Sequence, residues 1–152
     1  MNPEAMPLPS VRHVFVYGTL RRGEQRDINR LRPAPRWVGW ASVAGVMYHL
    51  GAYPGMVLGE EGDGKGRVRG EVYAISAELE RLLDEIEDLW PQPSGEYVKR
   101  EVAVQLDAPA RQPGEAPEEV LCILYEIAPE RTLGKPVIAS GDWVQHRSGS
   151  AA

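Results

Sequence analysis

One stretch of this chain carries the clear period of a helix, and most of the rest reads as strand. That imbalance limits the folds open to it. In Ser76-Ala77-Glu78-Leu79-Glu80-Arg81-Leu82-Leu83-Asp84-Glu85-Ile86-Glu87-Asp88, apolar residues recur at Leu79, Leu82, Leu83 and Ile86. These positions form the stripe of an amphipathic helix. Ser76 stands as N-cap, and Glu78 lies in the first turn, where the helix dipole favours negative charge. Strands are expected at His13–Tyr17, Val38–Tyr48, Gly55–Leu58, Val68–Ile75, Tyr97–Leu106 and Val120–Ile127. Turn signals separate them at Ala52–Gly55, Gly59–Gly66 and the proline-containing Ala108–Pro117. The last reads as a long mobile loop joining two strands that pair as a hairpin. A short helix is expected over Gln25–Leu31. The pattern predicts an α+β fold: a small mixed β-barrel of about six strands, with one main helix and a short helix packed outside.

A chain of 152 residues fits one domain with a sizeable core. That domain is expected over residues 11–146, with residues 1–10 and 147–152 as flexible termini. The net charge of −5 argues against a nucleic-acid partner, and no basic patch with interleaved aromatics is present. No apolar run approaches the roughly 20 residues needed to span a bilayer. Met1–Ser10 lacks the features of a signal peptide. The single cysteine, Cys122, excludes an internal disulfide and suits a reducing compartment, so a cytoplasmic location is expected. Cys122 sits in an apolar strand and reads as a small buried hydrophobe. His13, His49 and His146 show no metal-ligand spacing, and no nucleotide-binding glycine loop occurs. Neither a metal nor a cofactor is expected.

Function is best sought where the first strand stops. The apolar run Val14-Phe15-Val16 ends at Tyr17-Gly18-Thr19-Leu20, and Arg21-Arg22-Gly23 follows. A strand ending in glycine leaves backbone N–H groups without sheet partners, and glycine lets a ligand approach the backbone. Consecutive free N–H groups form a concavity for an anion such as a carboxylate. The alternative is an ordinary first strand and turn. The second candidate lies on the helix. At about 100° per residue, Glu80, Arg81, Asp84, Glu85 and Asp88 fall outside the apolar arc. Glu87 falls at its edge, beside Leu83, and is the carboxylate expected to be half-buried. Burial raises a carboxyl pKa toward the range of a proton shuttle near neutral pH. The alternative is a solvated flank residue on an acidic helix.

Taken together, these motifs resemble the γ-glutamylcyclotransferase-like superfamily, which includes γ-glutamylamine cyclotransferases and AIG2-like proteins. Phe15-Val16-Tyr17-Gly18-Thr19-Leu20 is similar to the family's opening signature, and Arg69-Gly70-Glu71-Val72-Tyr73 to a following strand. Leu83-Asp84-Glu85-Ile86-Glu87 resembles the helix carrying its catalytic glutamate, and Tyr97-Val98-Lys99-Arg100 the next strand. Ser140-Gly141-Asp142-Trp143 is similar to a late motif of bacterial members. The loop Glu24–Asn29 departs from the family pattern, as does Asp88-Leu89-Trp90-Pro91 after the glutamate.

The resemblance implies an enzyme that releases 5-oxoproline from a small γ-glutamyl amine or γ-glutamyl amino compound. The substrate's own α-amine attacks the γ-amide carbonyl, so no Ser-His or Cys-His pair and no cofactor is needed. Glu87 is implied as the acid/base. The backbone of Tyr17, Gly18, Thr19 and Leu20 is implied as the holder of the glutamyl carboxylate or of the carbonyl oxygen. Tyr97 and Tyr125 stand as pocket walls or hydrogen-bond donors, with plain strand packing the alternative. Tyr53-Pro54-Gly55 reads as a rim loop or a simple turn. A different class of function, non-catalytic binding of a small acidic metabolite or an interaction domain, is compatible with the same fold. A biosynthetic role, removing a γ-glutamyl protecting group, is a third reading.

Overall fold

The chain is described by a computed structural model over residues 12–87, 95–107 and 118–150. The expected loop 108–117, the expected N-terminal tail 1–10 and Asp88 lie outside the described residues. Among the described residues, six strands form one sheet: β1 (Arg12–Val16), β2 (Arg36–His49), β3 (Pro54–Leu58), β4 (Arg67–Ile75), β5 (Tyr97–Leu106) and β6 (Glu119–Ile127). Their order is β3-β2-β4-β1-β6-β5. β2 also pairs with β5 through Ala41–Leu106 and Ser42–Gln105, so five strands close into a barrel and β3 stays attached to one edge of β2. β1 and β6 run parallel and the other pairs antiparallel, which makes the barrel mixed.

Strand alternation builds two cores. Successive side chains point to opposite faces of a sheet. Phe15 and Tyr17 from β1 and its end, with Cys122 and Leu124 from β6, fill the barrel interior. Val14, Val16, Ile123 and Tyr125 face outward and meet the helix α1 (Ala77–Ile86). Leu79 and Leu83 of α1 are fully buried there, and Leu82 and Ile86 half-buried, as the apolar stripe demands. Ser76 caps α1 by accepting from the Leu79 N–H at 3.1 Å.

Three expectations need correction. Gln25–Leu31 holds only a single 3₁₀ turn, Ile28–Arg30. Asp27 caps the start of this turn: its carboxylate accepts from the Asn29 N–H and, from the preceding loop, the Gly23 N–H, each at 2.9 Å. The segment expected to be tail after His146 continues a helix, α2 (Trp143–Ser150). Asp142 begins α2 by accepting from the Gln145 N–H at 3.0 Å, and Trp143 is buried in the barrel core. Glu80 and Asp84, placed off the buried arc of α1, are half-buried because α1 also lies against β1, β5 and β6, where they meet Arg12, Lys99 and Tyr125.

Candidate active site

The turn that follows β1 and the C-terminal end of α1 meet over one mouth of the barrel. Between them lies a cavity of about 120 Å³. Its walls include Tyr17, Gly18, Thr19, Leu20, Glu87, Tyr97 and Tyr125, so every candidate drawn from the sequence lines one space. Tyr53 and Pro54 from the turn into β3, together with Arg26 and Glu96, complete its rim.

The turn is held from outside the cavity. The Arg21 N–H donates to the Gly18 carbonyl at 3.0 Å, Arg26 N–H to the Thr19 carbonyl at 2.8 Å and Ile28 N–H to the Leu20 carbonyl at 2.9 Å. These bonds use carbonyls. Among the described residues, nothing accepts from the amides of Gly18, Thr19 or Leu20. Such free, consecutive amides on a cavity wall form a site for an anion or a developing oxyanion. Gly18 serves close approach rather than a left-handed turn. Its φ is not positive, but an added Cβ would lie 2.8 Å from the Pro54 Cγ.

A buried carboxylate anchors the same turn from behind. Glu71 of β4 accepts from the Arg21 Nε at 3.0 Å, the Arg22 N–H at 2.9 Å and the Tyr73 hydroxyl at 2.9 Å. Arg21 also donates to Asp142 at 2.8 Å, which ties the turn to the start of α2. Both Arg21 and Glu71 are buried, and each finds its charge answered.

Glu87 caps the C-terminus of α1, with its N–H donating to the Leu83 carbonyl at 2.9 Å. It is half-buried, as its place at the edge of the arc implies, whereas Glu85 is exposed. Three tyrosines feel its charge. Burial first, then Glu87, holds the Tyr17 phenol far above the ordinary tyrosine range. Burial, then Tyr17 and Glu87, does the same to Tyr97. For Tyr125, burial leads, then the hydrogen bond to Asp84 and the charges of Asp84 and Glu87. All three therefore stay protonated.

Two of these hydroxyls are already committed. Tyr17 donates to the Tyr125 carbonyl at 2.7 Å and accepts from the Met56 N–H at 3.3 Å, fastening β1 to β6 and β3. Tyr125 donates to Asp84 at 2.7 Å. Asp84 and Glu80 in turn accept from Lys99 at 3.0 and 2.6 Å, an ionic ridge that locks α1 onto β5. Among the described residues, the Tyr97 hydroxyl makes only a long contact, 3.5 Å, to the Pro54 carbonyl. The Tyr53 hydroxyl donates to Glu96 on the rim. Glu96 on the rim and Asp84 behind Tyr125 were not legible, because their partners Tyr53 and Tyr125 lie 43 and 41 residues away in sequence. Arg26 was not legible because only the fold turns its loop onto the cavity.

Comparison with known proteins agrees with this geometry. The family model described as gamma-glutamyl cyclotransferase, AIG2-like, matches residues 14–145. The chain is similar to a gamma-glutamylaminecyclotransferase from Homo sapiens, with 35% identity over 123 residues, 76% of this chain and 78% of that protein. It is also similar to a gamma-L-glutamyl-butirosin B gamma-glutamyl cyclotransferase from Niallia circulans, with 36% identity over 77 residues, 50% of this chain and 46% of that one. The crystal structure of an AIG2-like protein from Mus musculus superposes with a TM-score of 0.64 at 27% identity, covering 87% of this chain and 88% of that one. With a matching family model over most of its length and the same barrel, this chain belongs to the gamma-glutamyl cyclotransferase, AIG2-like family.

Proposed function

We propose that this protein is an enzyme that cyclises the γ-glutamyl group of a small γ-glutamyl amine or amino compound, releasing 5-oxoproline. The observation that carries this reading is one cavity with a half-buried carboxylate, Glu87, on one wall and the free amides of Gly18, Thr19 and Leu20 on another. Glu87 is half-buried and stands at the C-terminal cap of α1, on the cavity wall. A carboxylate placed there is within the cavity to pass a proton between the two nitrogens of a bound γ-glutamyl compound, the role of an acid/base.

In the reaction, the substrate α-nitrogen forms a bond to the γ-carbonyl carbon. Glu87 accepts the proton lost by that nitrogen. The bond from the carbonyl carbon to the amide nitrogen then breaks, and Glu87 returns the proton to the departing amine. No water is consumed. The amides of the Tyr17–Leu20 turn hold the carbonyl oxygen as it gains charge, or the glutamyl carboxylate. Tyr97 and Tyr125 wall the glutamyl group. Nucleophile and leaving group both belong to the substrate, so the reaction requires no cofactor. A cytoplasmic setting is part of this reading. Metabolic and biosynthetic roles share the same chemistry.

The test pairs a small γ-glutamyl compound with its N-acetyl derivative and follows 5-oxoproline. Release from the free amine and none from the acetylated form is expected. Free glutamate as product would mean that water attacks, against cyclisation. Tight binding without any product would favour a non-catalytic binding domain.

A further inference from the structure

The cavity of about 120 Å³ is smaller than the several hundred Å³ that usually enclose a whole ligand. It has room for a small group such as a glutamyl moiety, so a leaving amine must extend beyond it. The space it enters is an outer groove of about 540 Å³, lined by Gln25, Arg26, Asp27, Arg30, Leu31 and Ile86. Arg26 and Ile86 line both spaces and mark the passage between them.

The charges of that groove are uneven. Asp27 is consumed by the amides of Gly23 and Asn29 and by the Asn29 side chain, and these bonds outweigh burial to hold its carboxyl below the usual aspartate range. Arg30 spends one N–H on the Glu24 carbonyl. Arg26 is exposed, and no carboxylate among the described residues pairs with its guanidinium. Its backbone is fixed by the bond to the Thr19 carbonyl at 2.8 Å, so the side chain is delivered to the passage by the same turn that lines the cavity. Across the rim, Glu96 is engaged by the Tyr53 hydroxyl. A guanidinium binds a carboxylate through two parallel N–H donors, a match that an amine or an alkyl group cannot make.

We propose that Arg26 selects γ-glutamyl compounds whose leaving amine carries a carboxylate, as in γ-glutamyl amino acids and peptides, over those of neutral amines. This rests on the cyclotransferase reading above. It assigns a selecting role to the loop Glu24–Asn29, where this sequence departs from the family pattern.

The experiment uses a matched pair, γ-glutamylalanine and γ-glutamylethylamide, which differ only by the carboxylate. 5-Oxoproline release is measured for the unmodified protein and for Arg26→Ala, Arg26→Lys and Arg26→Glu. The unmodified protein should prefer γ-glutamylalanine by roughly fivefold or more in kcat/KM, the size expected of a partly exposed charge pair. Arg26→Ala should abolish that preference by raising KM for γ-glutamylalanine alone. Arg26→Lys should keep part of it, and Arg26→Glu should invert it. The preference should shrink with added salt. Equal kcat/KM for the two substrates in the unmodified protein would overturn the role of Arg26 and leave cyclisation standing. An equal loss on both substrates in Arg26→Ala would also overturn it, by placing the guanidinium on the glutamyl group. No 5-oxoproline from either substrate would overturn both readings.

Discussion

At Gly18 the chain has no room for a side chain, because Pro54 lies 2.8 Å from where a Cβ would stand. A substitution must therefore push apart the turn and the start of β3, and both line the cavity. Gly18→Val should cost about 1–3 kcal/mol of stability in urea unfolding, the range for overpacking. It should also lower 5-oxoproline release about 100-fold or more, as expected when oxyanion donors are displaced. Turnover at the normal rate would make this segment a turn and nothing more. The signature residues were legible as a loop to watch, but the reason for the glycine was not. Its neighbour Pro54 is distant in sequence, and only the folded chain brings them together. The same holds for Tyr17, whose hydroxyl reads as a candidate ligand yet is spent on the Tyr125 carbonyl and the Met56 amide.

Elements were legible wherever one periodicity dominated. The six strands emerged from runs of period two between turn signals, and α1 from its apolar stripe. α2 was hidden because its residues, Trp-Val-Gln-His-Arg-Ser-Gly-Ser, carry no helical stripe. Its hold is tertiary: Trp143 donates from Nε1 to Glu24 at 3.0 Å, and Asp142 accepts from Arg21 at 2.8 Å. Gly141 just before it has φ +68°, and a Cβ there would fall 1.9 Å from the Arg67 carbonyl oxygen, so the approach to α2 requires glycine. Burial pushes the Asp142 carboxyl up, but the Gln145 amide and Arg21 outweigh it and hold the group below its ordinary 3.8. A carboxyl depressed in the folded state contributes stability above its unfolded pKa and loses it as pH falls through the folded value. Asp142→Asn should therefore lower the melting temperature at pH 7. As pH falls from 3.8 through the depressed folded value, the difference from the unmodified protein should shrink away. A gap that persists unchanged into acid would mean that the charge of Asp142 does not dock α2.

The whole molecule is a barrel with an uneven wall. β5 and β6 pair continuously from Tyr97–Ile127 to Gln105–Glu119, whereas the closing seam between β2 and β5 rests on Ala41–Leu106 and Ser42–Gln105 with the Asp107 N–H bonded to the Trp40 carbonyl. Short pairings open at lower free energy than long ones. In hydrogen exchange, the Asp107 amide should exchange roughly tenfold or more faster than that of Val72, which lies on β4 between β1 and β2. Equal protection would show that the seam opens only with the whole barrel. The mouth of the candidate site is built from the turn after β1 and the end of α1, both packed into the second core, and not from the residues of this seam. That arrangement places Glu87 on the cavity wall, and its role as acid/base is the central claim of the account. The most direct measurement is 5-oxoproline release by Glu87→Gln beside Glu85→Gln, with melting temperature as a control for folding. Glutamine keeps the size and polarity of Glu87 but carries no exchangeable acid proton. The account predicts a loss on the order of 100-fold or more for Glu87→Gln, an unchanged melting temperature, and near-normal activity for the exposed Glu85→Gln. Undiminished turnover in a folded Glu87→Gln protein would contradict it.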